Sequence, residues 1–349
     1  MANVTYLIGA GASAGKRDKG KIIEGLPCVN EIPTRILNII EILKNNSIPK
    51  DIKWFNSQLG LNSKLDWENA RIEVLKLFQD LHLQCTQHAT IDTYAKKLKL
   101  RKLSHEFKKL EQLLTLFFLF EQILSKTDSR YDTFLANILE DSLQFPENIR
   151  ILSWNYDCQI ELAYDGYNQR NGLTIGDKLN ERYQDYEIIK INGTAAFQNQ
   201  ESLIFIREKI AKEIQQAQED PISVHLAEMR VYLLHFIYLY KLYVVGKKDN
   251  TKLSFAFDYT TFSKNIVDCI NTIVDKTDAL VIIGYTFPFF NREIDRKILL
   301  HLKPNTKIYI QDIHPERIKQ SLEAITPTIQ EENIVLLREV DQFYLPPEL

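Results

Sequence analysis

Five short runs of β-branched and other apolar residues constrain the fold of this chain more than any other feature. They lie at 4–8, 150–154, 187–191, 279–283 and 307–311. Apolar residues do not alternate with polar ones within these runs, which is typical of strands that are covered on both faces. The sequence therefore predicts a buried parallel sheet.

Helical patterns separate most of these runs. Apolar residues recur at helical spacing over 32–43, and two later helices are predicted at 291–301 and 315–325. Strands that alternate with helices are joined by right-handed crossovers. The predicted fold class is therefore α/β, a Rossmann-like, doubly wound parallel sheet.

Two helical regions interrupt this alternation. Residues 49–145 contain almost no glycine and are rich in Leu, Lys, Glu and Phe, so they are predicted to form a large helical insertion subdomain. Residues 1–48 and 146–349 are predicted to form the Rossmann domain, which contains a second helical block at 208–250. No internal repeat indicates a solenoid.

Composition favours an ordinary soluble globular protein. Hydrophobic residues make up 45% of the chain, charged residues 26%, and the formal net charge is -3, so no basic excess points to direct nucleic-acid binding. The lysine-rich run 96–102 alternates with leucine. It is predicted to be the solvated face of an amphipathic helix rather than a phosphate-binding patch.

The spacing of the cysteines and the length of the longest apolar run indicate the cellular compartment of the protein. The four cysteines are far apart and form no Cys-x-x-Cys pair, so neither a zinc module nor a disulfide framework is expected. The longest apolar run, 231–245, is interrupted by a histidine and a lysine and is shorter than the roughly 20 residues of a membrane span. The amino terminus has no signal-peptide pattern. We expect a cytoplasmic protein without a metal or membrane contact.

A glycine turn follows the first predicted strand directly. Its residues are Gly9, Ala10, Gly11 and Ser13. Glycines here allow a tight turn and bring backbone N–H groups close to a pyrophosphate. A glycine pair after a strand is also a common tight turn, and the third glycine of the usual dinucleotide fingerprint is absent. Lys16 and Lys21 either contact phosphate or are exposed loop lysines.

Several blocks of the chain, in order, resemble the sirtuin superfamily. That family has a Gly-Ala-Gly-x-Ser turn, a loop ending in Gly-Ile/Leu-Pro, a Thr/Ser-x-Asn-x-Asp motif, a Lys-Leu-His-Gly-Ser/Thr segment and a strand-end glycine followed by a hydroxyl residue. The matching segments here are 9–13, 25–27, 153–157, 190–194 and 284–286. The resemblance covers the predicted Rossmann domain and implies that it binds NAD.

The resemblance also assigns roles to individual residues. Those it places at the cofactor, besides the glycine turn, are Pro27, Asn30, Gly193, Gly284, Tyr285 and Thr286. It implies that Asn155 positions ribose hydroxyls or an attacking water, a role that suits a carboxamide, which both donates and accepts hydrogen bonds. Asp157 either orients the same loop or caps the helix that begins there.

Position 192 departs from the family pattern. The resemblance places a catalytic histidine there, and this chain has Asn192 instead. An amide cannot act as a general base near neutral pH, and loss of such a base costs roughly a hundredfold to ten-thousandfold in rate. Either another residue supplies the base, or the site binds without turnover, or the substitution traps a bound state. His82 and His88 are either substitutes for the base or packed and solvated histidines.

Two further features allow two interpretations each. Asp312 follows the strand predicted at 307–311, where a side chain can meet the adenosine ribose; equally, it can open the turn that leads to Pro315. The aromatic residues of 287–290 either wall the pocket or belong to the core.

The resemblance implies an activity. Residues 89–94 are similar to a segment of bacterial sirtuin-like proteins from immune loci, and sirtuin deacetylases carry a four-cysteine zinc module that this chain lacks. The leading hypothesis is therefore an NAD glycohydrolase effector of antiphage defence, activated by self-assembly or by a partner protein. The second is a non-catalytic subunit that binds NAD or an ADP-ribose derivative and regulates a partner, which Asn192 favours. The third hypothesis, an NAD-dependent dehydrogenase, is the weakest, because the glycine turn and the Asn155 block do not follow the dehydrogenase pattern.

Overall fold

The computed structural model describes residues 1–46, 66–167, 175–176, 187–198, 200, 203–216, 224–246, 251–258, 264–327 and 329–349. Residues 49–65 of the predicted insertion lie outside this description. So do residues 217–223 and 247–250 of the predicted second helical block.

Strands and helices alternate along much of the chain. The strands are β1 (Val4–Ile8), β2 (Arg17–Asp18), β3 (Lys21–Ile22), β4 (Ile149–Ser153), β5 (Ile175–Gly176), β6 (Ile188–Lys190), β7 (Gly193–Phe197), β8 (Thr251–Leu253), β9 (Ala279–Ile283), β10 (Lys307–Gln311) and β11 (Ile334–Leu337). The α-helices are α1 (Ile32–Asn45), α2 (Trp67–Gln87), α3 (Ile91–Leu100), α4 (Ser104–Leu124), α5 (Ser129–Ile138), α6 (Gln159–Asp165), α7 (Leu203–Gln216), α8 (Val224–Leu239), α9 (Lys264–Lys276), α10 (Arg292–Leu299) and α11 (Pro315–Ile325).

The central sheet is parallel throughout the described residues. Its seven strands lie in the order β11-β10-β9-β1-β4-β6-β5, and every neighbouring pair is parallel. The chain adds strands on one side of β1 first and on the other side later. This reversal marks the place where ligands bind at the carboxyl ends of the strands in doubly wound folds. The predicted strands and the predicted fold class are confirmed.

Both faces of the sheet are covered, which explains the lack of alternation in the strands. Tyr6 and Ile8 of β1 enter an apolar core shared with α5 and α6. Leu7 enters the opposite core, shared with α9, α10 and α11. All five residues of β1 are buried, so each strand position favours an apolar side chain.

The chain divides into two compact units. Unit 1 consists of residues 1–29, 125–195 and 252–349 and contains the sheet. Unit 2 consists of residues 30–124 and 196–251, where α8 packs with α1, α2 and α4.

This division differs from the predicted domain boundaries. Helix α1 and the described part of 208–250 join the helical unit, whereas α5 joins the sheet. Apolar residues of α5, such as Tyr131 and Leu135, pack into a core of the sheet. Helical periodicity shows which face of a helix is apolar, not which partner that face will meet.

None of the described helices is long and apolar enough to cross a lipid bilayer. The predicted buried helix over 231–245 corresponds to the end of α8 and a π-helical turn, Tyr240–Gly246. The described residues also contain no group of three or more His, Cys, Asp and Glu side chains that could hold a metal ion.

Candidate functional site at the carboxyl edge of the sheet

Four strand ends meet at the carboxyl edge of the sheet. Strands β9, β1, β4 and β6 are neighbours in register. The groups that follow β1, β4, β6 and β9 are, in that order, the glycine turn 9–13, Asn155, Asn192 and Gly284. Since parallel strands end at the same edge, segments that are far apart in the sequence lie along one edge of unit 1.

The turns after β1 and β9 pack backbone against backbone. The N–H of Gly11 donates to the carbonyl oxygen of Gly284 over 3.0 Å, and the N–H of Gly9 donates to that of Ile283 over 3.0 Å. Gly284 has a φ of +57°, and a Cβ there would lie 2.4 Å from the Cα of Gly11. Glycine is required at this contact because any side chain would push the two turns apart.

Most backbone N–H groups of the glycine turn already donate hydrogen bonds within the protein. The N–H groups of Gly9, Gly11, Ala12 and Ala14 all donate to backbone carbonyl oxygens. These four amides hold the shape of the turn. The expectation that amides of this turn also contact a pyrophosphate stays a prediction.

Asn155 is fastened to the glycine turn. Its Nδ2 donates to the carbonyl oxygen of Gly9 over 2.8 Å and to Oγ of Ser13 over 3.2 Å. Its main-chain N–H donates to Oγ of Ser153. A carbonyl oxygen only accepts, so the amide nitrogen must face the turn. The hydrogen bonds of the Asn155 side chain among the described residues all use Nδ2 and none uses Oδ1.

The start of α5 holds another side of the same turn. Nη2 of Arg130 donates to the carbonyl oxygens of Gly11 and Ala12, each over 3.2 Å, and lies 2.6 Å from Oδ2 of Asp128. The main-chain N–H of Asp128 donates to Oε1 of Gln159, at the start of α6. The loops after β1 and β4 are thus joined both by Asn155 and through α5.

Tyr131, also on α5, reaches the same turn. Its Oη lies 3.0 Å from Oγ of Ser13, and both residues are buried. Burial raises the pKa of the Tyr131 phenol well above its usual range, so the group is a neutral hydroxyl. Sequence reasoning found neither Arg130 nor Tyr131, because only the packing of α5 brings them to the turn.

Asp157 is engaged with the start of α6. Its Oδ1 accepts the N–H of Gln159 over 3.0 Å, which favours the capping interpretation. Lys190 donates to the main-chain carbonyl of Asp157 and lies 3.1 Å from Oε1 of Glu161. Burial alone would lower the pKa of Lys190, but Glu161, Cys158 and Asp157 together offset this effect and the pKa is raised. A charged, buried lysine therefore supports this loop from beneath.

Asn192 has a buried side chain with an unsatisfied oxygen. Its main-chain carbonyl accepts from the N–H of Ser254 over 2.9 Å and from the Ser254 hydroxyl over 3.1 Å. The residue is 6% exposed, and its Oδ1 has no hydrogen-bond partner among the described residues. Such a group costs about 1–3 kcal/mol. Gly193 follows and begins β7.

On the β9 side, the Tyr285 side chain points into the core. Its Oη lies 2.8 Å from Oδ1 of Asp295, and its ring stacks on Trp154 with the centroids 5.7 Å apart. Burial raises the pKa of Asp295 well above its usual range. The Tyr285 side chain is therefore engaged in the core, whereas the neighbouring Thr286 is exposed.

The remaining predicted residues have local roles or lie elsewhere. Asp312 accepts the N–H of His314 over 2.8 Å, which matches the turn interpretation. Pro27 is buried in unit 1, and Asn30 is an exposed residue of unit 2. His88, in unit 2, contacts the carbonyl oxygen of Gln84 over 2.9 Å.

Two lysines near the glycine turn are exposed. Lys16 is largely exposed and lies 3.8 Å from Oε2 of Glu24, and Lys21 is also exposed. The aromatic residues of 287–290 differ in burial, since Phe287 is buried and Phe289 is 78% exposed. The run therefore supplies both a core residue and an exposed one.

No protein-family model matches this sequence, and no curated protein matches it. Its function must therefore be inferred from the residues and their geometry.

Proposed function

We propose that this chain binds NAD at the carboxyl edge of its sheet and is a sirtuin-like NAD glycohydrolase. In this proposal it cleaves NAD to nicotinamide and ADP-ribose in the bacterial cytoplasm, as an effector of antiphage immunity. Self-assembly or a partner protein activates it. The observation that supports the proposal most is the pair of hydrogen bonds from Asn155 to Gly9 and Ser13, because they put the carboxamide and the glycine turn in one site.

The arrangement suits cleavage of the nicotinamide glycosidic bond. That reaction passes through an oxocarbenium-like transition state, in which the ribose must be held and positive charge develops. Both hydrogens of the Asn155 amide are directed to the turn, so its Oδ1 offers an acceptor to a ribose hydroxyl or to the attacking water. A fixed neutral oxygen also stabilises developing positive charge without reorganising.

The decisive experiment is a product assay for free nicotinamide, with the activating partner present. We expect the wild-type protein to release nicotinamide and Asn155→Ala to reduce the rate by about a hundredfold or more. Asn137→Ala is a matched control, because it removes an exposed amide on α5 that donates to the carbonyl oxygen of Thr133. If both variants lose activity equally, the assigned role of Asn155 is wrong.

The alternative is a subunit that binds NAD or an ADP-ribose derivative without cleaving it. Asn192 favours this alternative, because its amide cannot accept a proton as a histidine would. Calorimetric binding of NAD without nicotinamide release would support it. Asn192→His then separates the two cases: a gain of hydrolysis indicates a pocket that lacks only its base. If the protein neither binds nor cleaves NAD, both proposals fail.

A further inference from the structure

We propose that Tyr131 is a positioning residue of this site, which acts through the Ser13 hydroxyl on the carboxamide of Asn155. Its effect on ligand affinity rests on the proposed function, whereas its effect on Asn155 does not.

Three side chains from distant segments form one buried chain of hydrogen bonds. Tyr131 Oη lies 3.0 Å from Ser13 Oγ, which in turn accepts from Asn155 Nδ2 over 3.2 Å. The exposed fractions of Tyr131, Ser13 and Asn155 are 1%, 2% and 6%. Because water hardly reaches these groups, each depends on the others for its hydrogen bonds.

The number of hydrogens on these three side chains limits the hydrogen bonds that they can make. The Asn155 amide has two hydrogens, and the hydroxyls of Ser13 and Tyr131 have one each. Three contacts use three of these four hydrogens: Asn155 to Gly9, Asn155 to Ser13, and the contact between the two hydroxyls. One hydroxyl hydrogen therefore has no acceptor in the described part of the chain.

Either hydroxyl can donate in this contact, and in our proposal Tyr131 donates to Ser13. The Ser13 oxygen then accepts from both Tyr131 and Asn155, and no contact of the described residues uses its own hydrogen. A ligand group that reaches this hydrogen must be an acceptor, such as a phosphate or ribose oxygen. Ser13 then offers a donor and Asn155 Oδ1 offers an acceptor, a pair that can bind a ligand with both a phosphate oxygen and a ribose hydroxyl.

The effect of the Tyr131 hydroxyl can be tested without changing the packing of the Tyr131 ring. That ring packs edge-on against Phe343 with the centroids 4.9 Å apart, and a phenylalanine keeps this contact. Arg130 independently ties the start of α5 to the carbonyl oxygens of Gly11 and Ala12. Tyr131→Phe therefore removes the hydroxyl and leaves the helix in place.

The first test compares Tyr131→Phe with Tyr164→Phe by calorimetry with NAD. Tyr164 is a matched control, because it is buried in the same apolar core and its hydroxyl donates to the carbonyl oxygen of Leu143 over 2.9 Å. We expect Tyr131→Phe to weaken NAD binding by about tenfold, since the Ser13 and Asn155 groups lose their fixed orientation. Tyr164→Phe should bind like wild type. Equal affinity of the two variants would overturn the proposal.

The second test does not depend on NAD. In protein labelled with nitrogen-15 at asparagine, the Asn155 side-chain amide signals are assigned by their loss in Asn155→Ala. Tyr131→Phe should shift these signals and speed their exchange with water by about tenfold, because their acceptor is no longer held. Tyr164→Phe should leave them unchanged.

The two tests separate the possible failures. If wild type does not bind NAD but Tyr131→Phe still frees the Asn155 amide, the proposed function is wrong and the positioning role stands. If the Asn155 signals are identical in wild type, Tyr131→Phe and Tyr164→Phe, the positioning role is wrong, whether or not NAD binds. Ser13→Ala, which removes both hydrogen bonds of the chain, should reproduce the spectral change of Tyr131→Phe.

Discussion

The Asn192 side chain combines burial with an oxygen that no described residue satisfies. Native proteins contain few such groups, and those they keep usually serve a ligand or an ordered water. In the proposed site, Asn192 Oδ1 accepts a hydrogen bond from NAD.

This role predicts opposite effects of Asn192→Leu on stability and on binding. Replacing the unsatisfied amide with an apolar group of similar shape should raise the free energy of unfolding by about 1 kcal/mol. It should also weaken NAD binding by about tenfold. Urea denaturation and calorimetry measure the two effects.

Asn333→Leu is the matched control. Asn333 is also buried, but its Oδ1 accepts from Lys307 and its Nδ2 donates to the carbonyl oxygen of Pro304. Its replacement should destabilise the protein by about 1–3 kcal/mol. If Asn192→Leu destabilises the protein to the same extent, Asn192 is bonded within the protein and does not await a ligand.

At the level of the structural elements, the site depends on the contact between the turns that follow β1 and β9. Gly284→Ala should destabilise the protein by about 3 kcal/mol, since a left-handed alanine costs about 1–2 kcal/mol and the overlap with Gly11 adds about 1–3 kcal/mol. Gly20→Ala has a similar positive φ but nothing within 4 Å of the added Cβ. It should therefore cost only about 1–2 kcal/mol. Chemical denaturation of both variants measures the difference, and equal losses would contradict the role of close packing.

The elements themselves were predictable, while the direction of several side chains was not. Tyr285 follows β9 as the sequence predicts, yet its hydroxyl pairs with Asp295 in the core. Asp312 follows β10 and bonds to its own turn. A residue's place at a strand end depends on local pattern, whereas its side-chain partner depends on which helix covers that face.

For the whole molecule, the site is expected to lie within unit 1. Addition of NAD at about 100 times its dissociation constant should stabilise the folded protein by about 2.7 kcal/mol. Hydrogen exchange should slow mainly in the four segments 8–15, 153–157, 190–194 and 283–287, because these line the carboxyl edge. Mass spectrometry of peptides with and without NAD measures this, with Asn155→Ala as the control that shows little protection. Protection confined to peptides of unit 2 would contradict the location of the site.

The sequence by itself determined the strands, the parallel sheet and the order of the motifs along it. This was possible because burial on both faces favours apolar residues at most successive strand positions, a signal that lies within a few neighbouring residues. The tertiary structure alone decided which side chains bond to one another at the carboxyl edge and which helices cover the sheet. Ser13 meets Tyr131 across 118 positions of the chain and Asn155 across 142. Contacts over such separations arise from the packing of whole helices against the sheet, and no local pattern encodes them.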